Sequence, residues 1–388
     1  MDETEALLRL VAAGGAVAPR RALLAAHGTP VGAVAAGGSA WAAAGLAPAQ
    51  QRALSKRADD GLRRTLDWLQ RPGHHLVGWH DPDYPALLRR SPAPPLALFV
   101  AGDPALLWHP AVAVVGSRAA TAGGRDNASG FARAFVRAGF AVASGLAAGI
   151  DTAAHHGALG ASGLTVAVLG TGIDVPYPRG NARLHTRIAA EGAVVSEHPP
   201  GTPARREQFP SRNRILAGLT LGTVVVEAAA RSGALITARL AADAGRDVFA
   251  VPGSIHNPLA RGCHRLIRDG AGLVETAGEV VDALAPVAAS LGDALRRRLD
   301  APTPVSGNTA AAAPGDSLPD SPDYHRLWAA IGHDPTGMDQ LVERTGLTTA
   351  TLSSMLLLME LEGRIAAAHG RYSRKSCHHA PAGAGRGK

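Results

Sequence analysis

The sequence predicts an α/β fold built on a doubly wound, mostly parallel sheet, with a small N-terminal helical domain and a C-terminal winged-helix domain. The main observation is the alternation of short, apolar, mostly β-branched segments with helical patterns between Val112 and Leu284, which is typical of a parallel sheet covered on both faces. A strand-poor helical pattern at the N-terminus and a helix–helix–wing pattern near the C-terminus predict the flanking domains. A chain of 388 residues is long enough for two or three domains.

The first predicted domain, residues 1–70, consists of short helices with a glycine turn at Gly14-Gly15. Its layout is similar to that of helix-hairpin-helix and SAM-type DNA modules. The hairpin glycines, however, are poorly placed to offer backbone N–H groups to phosphate. We therefore favour a plain helical packing domain.

The predicted core spans residues 76–285 and contains the doubly wound sheet. Two leading strands are expected near residues 76–79 and 96–100. Because such a sheet binds its ligand at the carboxyl ends of its strands, the residues just after each strand are the first candidates for a site. The later strands are predicted at 112–116, 140–143, 164–169, 193–196, 222–226, 247–251 and 272–274. The helices are predicted at 123–138, 150–159, 180–190, 211–218, 234–244, 262–269 and 277–284.

Three segments are predicted beyond the core: a flexible linker over residues 286–321, a winged-helix domain over residues 322–375 and a disordered tail over residues 376–388. The helix at the recognition position, 348–362, contains no Lys or Arg, whereas a reader of the major groove needs cations and base-reading side chains. We therefore predict a protein-contact or regulatory domain. Its apolar residues exceed what one packed face needs, unless they pack internally: Leu352, Met355, Leu356, Met359 and Leu361.

The chain carries a formal net charge of +7, which indicates a polyanionic partner. This bulk charge is ambiguous, because only Lys56, Lys375 and Lys388 are lysines and an excess of Arg, Ala and Gly can reflect genomic base composition. Two distant cysteines support neither a disulfide framework nor a four-ligand zinc site. The acidic start and the lack of a long apolar run predict neither a secretory signal nor a membrane span, so we expect a soluble cytoplasmic protein.

Glycines and arginines follow several strands of the predicted core. Gly116-Ser117-Arg118 follows the first parallel strand, and Ser144-Gly145 opens the turn after the next one. Glycines admit a close ligand, and helix N-termini attract anions. For the arginines of these segments, phosphate binding is therefore favoured over ion pairs with Glu207 or Glu227. The segment after the strand at 193–196 adds four arginines and a serine placed to cap the next helix: Arg205, Arg206, Arg212, Arg214 and Ser211.

The turn at Gly116 differs from a dinucleotide-binding turn. The dinucleotide fingerprint needs two further glycines, and here Arg118 and Thr121 occupy those positions. The second strand also ends without the carboxylate that would hold a ribose. A phosphodiester therefore suits this turn better than a nicotinamide cofactor, and no cofactor is expected.

Seven ordered segments between residues 76 and 284 make the chain resemble the DprA/Smf family of DNA-processing proteins. The resemblance implies an extended Rossmann-like core that binds single-stranded DNA, forms homodimers, protects incoming DNA and loads the RecA recombinase during natural transformation. Many members also carry a C-terminal winged-helix domain. The matching segments are YPALL (84–88), VAVVGSR (112–118), SGLAAGIDTAAHHGAL (144–159), AVLGTGIDVPYPRGNARLH (167–185), FPSRNRILAGLT (209–220), SGALITARLAADAGRDVFAVPG (232–253) and GCHRLIRDGAGLV (262–274).

The same resemblance implies the DNA-binding residues. In the family, the basic pocket involves the glycine–arginine turn and an FPxRNR segment. Phe209 is expected either to stack on a base or to pack in the core ahead of Pro210. The predicted site comprises Gly116, Ser117, Arg118, Phe209, Arg212, Asn213 and Arg214, together with Ser144 and Gly145 from the neighbouring turn.

The main alternative is a nucleotide-processing enzyme of the lysine-decarboxylase-like phosphoribohydrolase type. Leu221-Gly222-Thr223 followed by Glu227 weakly resembles the motif of that family, but the preceding glycine pair is missing. The sequence has neither a P-loop nor a nucleophile elbow. His155-His156 with Asp151 lacks further metal ligands at useful spacing. A pure protein-interaction scaffold is the third class. We expect a binding protein that is not an enzyme and has no catalytic or metal-binding residues.

Overall fold

The computed structural model describes residues 1–56, 60–300, 322–331, 336–361, 365–368 and 371–374. The chain divides into two compact units, Met1–Pro302 and Thr303–Lys388. The predicted tail over residues 376–388 and most of the predicted linker lie outside the described residues. The fold class is confirmed, with a mostly parallel sheet in the first unit and a winged helix in the second.

A group of short helices precedes the sheet. Arg20 is buried among them, where its Nη1 donates to the Leu10 carbonyl at 2.8 Å and its Nη2 to the Gly15 carbonyl at 2.9 Å. The Gln50 amide donates to the Gly14 carbonyl at 2.6 Å. These bonds tie the glycine turn to its own helices. The helices are α1 (Glu3–Ala12), α2 (Val17–His27), α3 (Pro30–Ala35), α4 (Gly37–Ala43), α5 (Pro48–Ser55) and α6 (Asp60–Leu69).

The described part of the first unit contains a nine-stranded sheet in the order β1-β2-β6-β5-β4-β3-β7-β8-β9. The first two strands pair antiparallel with each other, and β2 also pairs antiparallel with β6, whereas the other pairs are parallel. The strands are β1 (His74–Gly78), β2 (Ala97–Gly102), β3 (Ala111–Val115), β4 (Ala141–Ser144), β5 (Thr165–Leu169), β6 (Ala193–Ser196), β7 (Gly222–Val225), β8 (Asp247–Ala250) and β9 (Gly272–Leu273).

Helices follow most strands and build a buried cluster on each face of the sheet. Val112 and Val114 of β3 enter one cluster, while Ala113 and Val115 enter the other, as the alternation of a strand requires. The helices are α7 (Ala86–Arg89), α8 (Ala122–Arg137), α9 (Ile150–Gly160), α10 (Ala182–Glu191), α11 (Gln208–Leu219), α12 (Gly233–Asp243), α13 (Arg261–Arg268) and α14 (Ala277–Asp300).

Two predicted element boundaries are wrong. Helix α11 begins at Gln208, so Ser211 lies inside its first turn rather than at its N-cap. Helix α14 continues through Pro286 to Asp300, so residues 286–300 are helical and do not belong to a linker. Buried and partly buried apolar side chains of α14 pack against the core, and this packing compensates for the backbone hydrogen bond that the internal proline removes.

The described part of the second unit contains a small helical core and a three-stranded sheet in the order β10-β12-β11. The apolar residues predicted to form an exposed surface are mostly internal: Leu352, Met355, Leu356 and Met359 are all buried. The packed alternative is therefore correct for these four residues. The elements are α15 (Pro322–Ala330), β10 (Thr336–Gly337), α16 (Met338–Thr345), α17 (Thr349–Leu361), β11 (Ile365–Ala368) and β12 (Arg371–Arg374).

Candidate nucleic-acid interface

A cavity of about 750 Å³ opens at the carboxyl end of β3. From β3 the sheet is built outward in both directions, through β4 on one side and β7 on the other. Such a switch point separates the loops of neighbouring parallel strands and is where doubly wound sheets bind ligands. The turn after β3, the start of α11 and the start of α12 together line the cavity.

The turn after β3 brings the backbone close to its neighbours and exposes one cation. A Cβ on Gly116 would lie 2.6 Å from Ile150 Cγ1 and 2.8 Å from the Glu227 carbonyl oxygen, so only glycine fits there. The Ser117 hydroxyl is nearly buried and accepts a hydrogen bond from the Ala119 amide at 3.2 Å. Arg118 is exposed, lines the cavity and forms no ion pair with any described residue.

Two aromatic rings stand beside Arg118. The Arg118 guanidinium lies 5.7 Å from the ring centroid of Phe209, which is half-buried. The Tyr177 ring lies 5.1 Å from Phe209, centroid to centroid, and is 43% exposed. Both rings line the cavity. A cation next to two partly exposed rings can hold a phosphate and stack a base at the same time.

Sequence reasoning missed Tyr177 as a site residue. Tyr177 precedes a cis peptide bond to Pro178, in the loop that follows β5. The signal was available, because the loop leaves the carboxyl edge of the sheet, but a Tyr-Pro pair is more typical of a turn.

Arg212 is brought to the cavity, but most of its side chain is committed to the fold. It is 5% exposed, and its Nη1 donates to the Gly145 carbonyl at 2.7 Å and also to the Val168 carbonyl. Burial lowers its pKa to about 10, and the nearby Asp151 carboxylate opposes that shift. Arg212 is therefore a largely buried residue that still lines the cavity, and not a free surface cation.

The turn after β4 serves the site through its backbone. Ser144 is fully buried and donates to the Val114 carbonyl at 2.7 Å, so its predicted role as a direct contact is not supported. Gly145 has no room for a side chain because a Cβ there would collide with the Arg212 guanidinium. Asp151 accepts from the Gly145 amide at 3.1 Å, and burial raises the pKa of Asp151 while Arg212 lowers it.

Arg214 is separated from the predicted site. It pairs with Glu197 and donates to the Ala93 carbonyl at 2.8 Å, and it lines a different cavity of about 310 Å³. The expected alternative of a structural ion pair is therefore correct for Arg214, with Glu197 as the partner instead of Glu207 or Glu227. Asn213 does line the candidate site, and its Oδ1 accepts from Arg212 Nε at 3.1 Å.

Two further arginines line the cavity: Arg206, which the sequence already grouped with the phosphate-binding arginines, and Arg231, which it did not. Arg206 precedes α11, and Arg231 precedes α12. Both are exposed and form no ion pair within the described ranges. The cavity wall therefore carries three unpaired guanidinium groups, with Arg118 as the third.

Glu227 and His155, which the sequence analysis weighed for an enzyme and a metal site, both contact structural partners. The Glu227 carboxylate accepts from the Thr121 amide at 2.9 Å and from the Thr121 hydroxyl at 2.6 Å, which fixes the N-cap of α8. His155 Nδ1 lies 2.8 Å from the buried Thr165 hydroxyl. Cys263 is fully buried, which raises its pKa to about 11. Within the described residues, no three metal-ligating side chains gather, and no helix is long and apolar enough to cross a membrane.

Comparison with known families and proteins places the chain among DNA-processing proteins. The family model described as DNA recombination-mediator protein A matches residues 75–285, and the model described as the DprA winged helix domain matches residues 310–371. Protein Smf of Escherichia coli K12 is 39% identical over 320 residues, which cover 82% of this chain and 82% of Smf.

Relatives from Streptococcus pneumoniae agree with this assignment. DNA processing protein DprA of strain R6 is 48% identical over 187 residues, which cover 48% of this chain and 66% of that protein. The X-ray structure of DNA processing protein A from the same species superposes with a TM-score of 0.66 at 36% identity. The match covers 73% of this chain and 99% of that chain.

Proposed function

Because the chain belongs to the DNA recombination-mediator protein A family, which includes DprA and Smf, we propose that it binds single-stranded DNA in the cavity at the end of β3. The observation that carries this proposal is the combination of unpaired guanidinium groups and two aromatic rings in one cavity, with Arg118 next to Phe209 and Tyr177. An aromatic ring can stack on any of the four bases, and the cations bind the DNA backbone. We therefore expect binding with little sequence preference.

The accompanying test compares single-stranded and double-stranded oligonucleotides of equal length at several salt concentrations. If about 4 to 6 phosphates are neutralised, the slope of log K against log salt for single strands is about −3 to −4. Single strands are expected to bind more tightly than duplex. A salt-independent affinity, or a preference for duplex, would contradict the proposal.

The enzymatic alternative makes a different prediction. A phosphoribohydrolase would release free base from a nucleoside monophosphate. Glu227, the residue that weakly matches its motif, is nearly buried and accepts two hydrogen bonds from Thr121. We infer that the protein is not an enzyme of this class, and chromatographic detection of released base would overturn that inference.

We further propose that the protein acts in the cytoplasm as a homodimer, protects incoming strands and loads the RecA recombinase onto them during natural transformation. Membership of the family supports this proposal. Sedimentation analysis tests the dimer, and a nuclease-protection assay tests the protection of strands. RecA filament assembly on DNA coated with single-strand-binding protein tests loading. A monomer at all concentrations, or filament assembly that is unchanged by the protein, would overturn the corresponding part.

A further inference from the structure

A second part of the cavity wall has no role in the site described so far. It is the first turn of α12 and the residue before it, and it lines the same space as Arg118 and Phe209. Helix α12 is 11 residues long, so its N-terminus carries the positive end of a macrodipole. The Ser232 hydroxyl caps the Ala234 amide at 3.2 Å, whereas the Gly233 amide has no hydrogen-bond partner in the described part of the chain.

Thr237 provides an independent sign of a binding position here. Its side chain is 2% exposed and lines the cavity, yet its hydroxyl makes no hydrogen bond to any described residue. Threonine in a helix ordinarily donates to the carbonyl three or four residues earlier, so the Thr237 hydroxyl, which does not make that bond, is available to a group bound in the cavity. Thr237 lies one turn after Gly233, so the free hydroxyl and the free amide share one face of α12.

Arg231 adds a cation at the same place. It is exposed, forms no ion pair with any described residue, and also lines the larger adjoining cavity of about 1030 Å³. There, Arg239 faces Asp243 at 4.0 Å, and Arg265 faces Asp269 at 3.4 Å. Arg231 is therefore a cation that no described carboxylate neutralises, and it lines the same cavity as the free hydroxyl and amide of α12.

We propose that Arg231, the Gly233 amide and the Thr237 hydroxyl form a second subsite, which binds a phosphodiester of the same DNA strand whose base stacks beside Arg118. This proposal rests on the proposed function, since it assigns a further contact within the same cavity. A guanidinium, an amide and a hydroxyl are all donors, and a phosphodiester offers the anionic acceptor oxygens that they require. The strand then crosses the cavity from the wall formed by Arg118 to the wall formed by α12.

The experiment measures the affinity of the full chain for oligodeoxythymidylate, with and without a 5′-phosphate, across a salt series. Arg231→Ala is expected to weaken binding about tenfold and to make the salt slope shallower by about 0.7. Thr237→Val keeps the volume and removes the hydroxyl, with an expected loss of about fivefold. Thr237→Ser restores the donor and is expected to recover most of that loss. Arg239→Ala is the control, because Arg239 lies on α12 but does not line this cavity.

The outcomes separate this proposal from the proposed function. Wild-type affinity and slope in Arg231→Ala and Thr237→Val, alongside weakened binding by Arg118→Ala, would overturn the second subsite and leave the proposed function intact. An Arg231→Ala effect that vanishes without the 5′-phosphate would assign the subsite to a strand end and overturn the phosphodiester. Absence of binding by the wild-type protein would overturn both. Equal melting temperatures of all variants exclude unfolding as the cause of a loss.

Discussion

Arg118 is an exposed guanidinium whose neighbour in the described structure is the face of Phe209. We expect Arg118→Ala to weaken the binding of single strands by about 1–3 kcal/mol, the usual contribution of charge-assisted hydrogen bonds. The fold is expected to be unaffected, because no buried group depends on this side chain. Fluorescence anisotropy and thermal denaturation measure the two effects.

The matched control for Arg118 is Arg187→Ala. Arg187 is also exposed, but it pairs with Glu191 at 2.9 Å on α10 and does not line the cavity. Its removal is expected to leave the affinity unchanged. If Arg118→Ala binds as tightly as the wild type with unchanged circular dichroism, the anion site is elsewhere.

Tyr177 offers a cleaner test of stacking than Phe209 does. Phe209 is half-buried and packs against Gly170, where an added Cβ would lie 3.0 Å from the ring, so its removal also disturbs the fold. We expect Tyr177→Ala to weaken binding by about 1 kcal/mol, at the lower end of base stacking, with little change in stability. Tyr177→Phe retains the ring and is expected to bind like the wild type. Equal losses in both variants would mean that the hydroxyl, and not the ring, makes the contact.

Among the elements, α11 is joined to the ends of two strands by a single side chain. Arg212 reaches from α11 to the Val168 carbonyl in β5 and to the Gly145 carbonyl after β4, and it compensates the buried Asp151 carboxylate. Its removal would leave that carboxylate without its cation. We therefore expect Arg212→Ala to lower the free energy of unfolding by about 3 kcal/mol, as for other broken buried pairs.

Urea denaturation measures the effect of Arg212→Ala, and Arg206→Ala is its control. Arg206 lines the same cavity but is exposed, so its loss is expected to weaken DNA binding without a change in the denaturation midpoint. An unchanged midpoint in Arg212→Ala would show that Arg212 does not stabilise the fold and contributes only to ligand binding.

The elements also show which features the sequence could predict. The bounds of the parallel strands agree with the prediction to within about two residues, because short β-branched runs between glycines strongly favour buried strands. The start of α11 was predicted too late along the chain. Pro210 and Ser211 resemble the residues that precede a helix, but proline is also tolerated within the first helical turn, where the structure has it. The burial of Arg212 was beyond local reasoning, since its acceptors lie 44 and 67 residues away along the chain.

For the whole molecule, stability is expected to fall in acid because of a buried histidine. His155 is fully buried, and burial lowers its pKa to about 3, with His156 and Arg212 acting in the same direction. In the unfolded chain the pKa of histidine is near 6.5. Between about pH 6.5 and pH 3 the unfolded state therefore binds one more proton, and stability decreases by up to about 1.4 kcal/mol per pH unit as the pH falls.

Urea midpoints between about pH 7.5 and pH 5 test this dependence. Burial also lowers the pKa of His185 and His198, which adds a slope of the same sign, while the raised pKa of Asp151 opposes it. His155→Gln removes one titrating group and is expected to give a flatter dependence than the wild type. Parallel curves for the two proteins would mean that His155 does not contribute.

The last prediction concerns the division of the chain. The helix at the recognition position contains no Lys or Arg between residues 348 and 361, and its inward apolar residues are used in its own core. We therefore expect the second unit to contribute little to the binding of single strands. A truncation after Ala285 is unsuitable as a test, because it would cut α14 in the middle and remove Ala288 and Leu291, which pack against the core.

The boundary at Pro302 gives the suitable truncation, since it retains α14 whole. The shortened protein is expected to bind single strands within about threefold of the full chain, or about 0.7 kcal/mol, and to melt at the same temperature. The cavity keeps every lining residue in this variant, because all of them lie in the first unit. A loss of about tenfold or more, without a change in melting temperature, would show that the second unit contacts DNA despite the missing cations on its recognition helix.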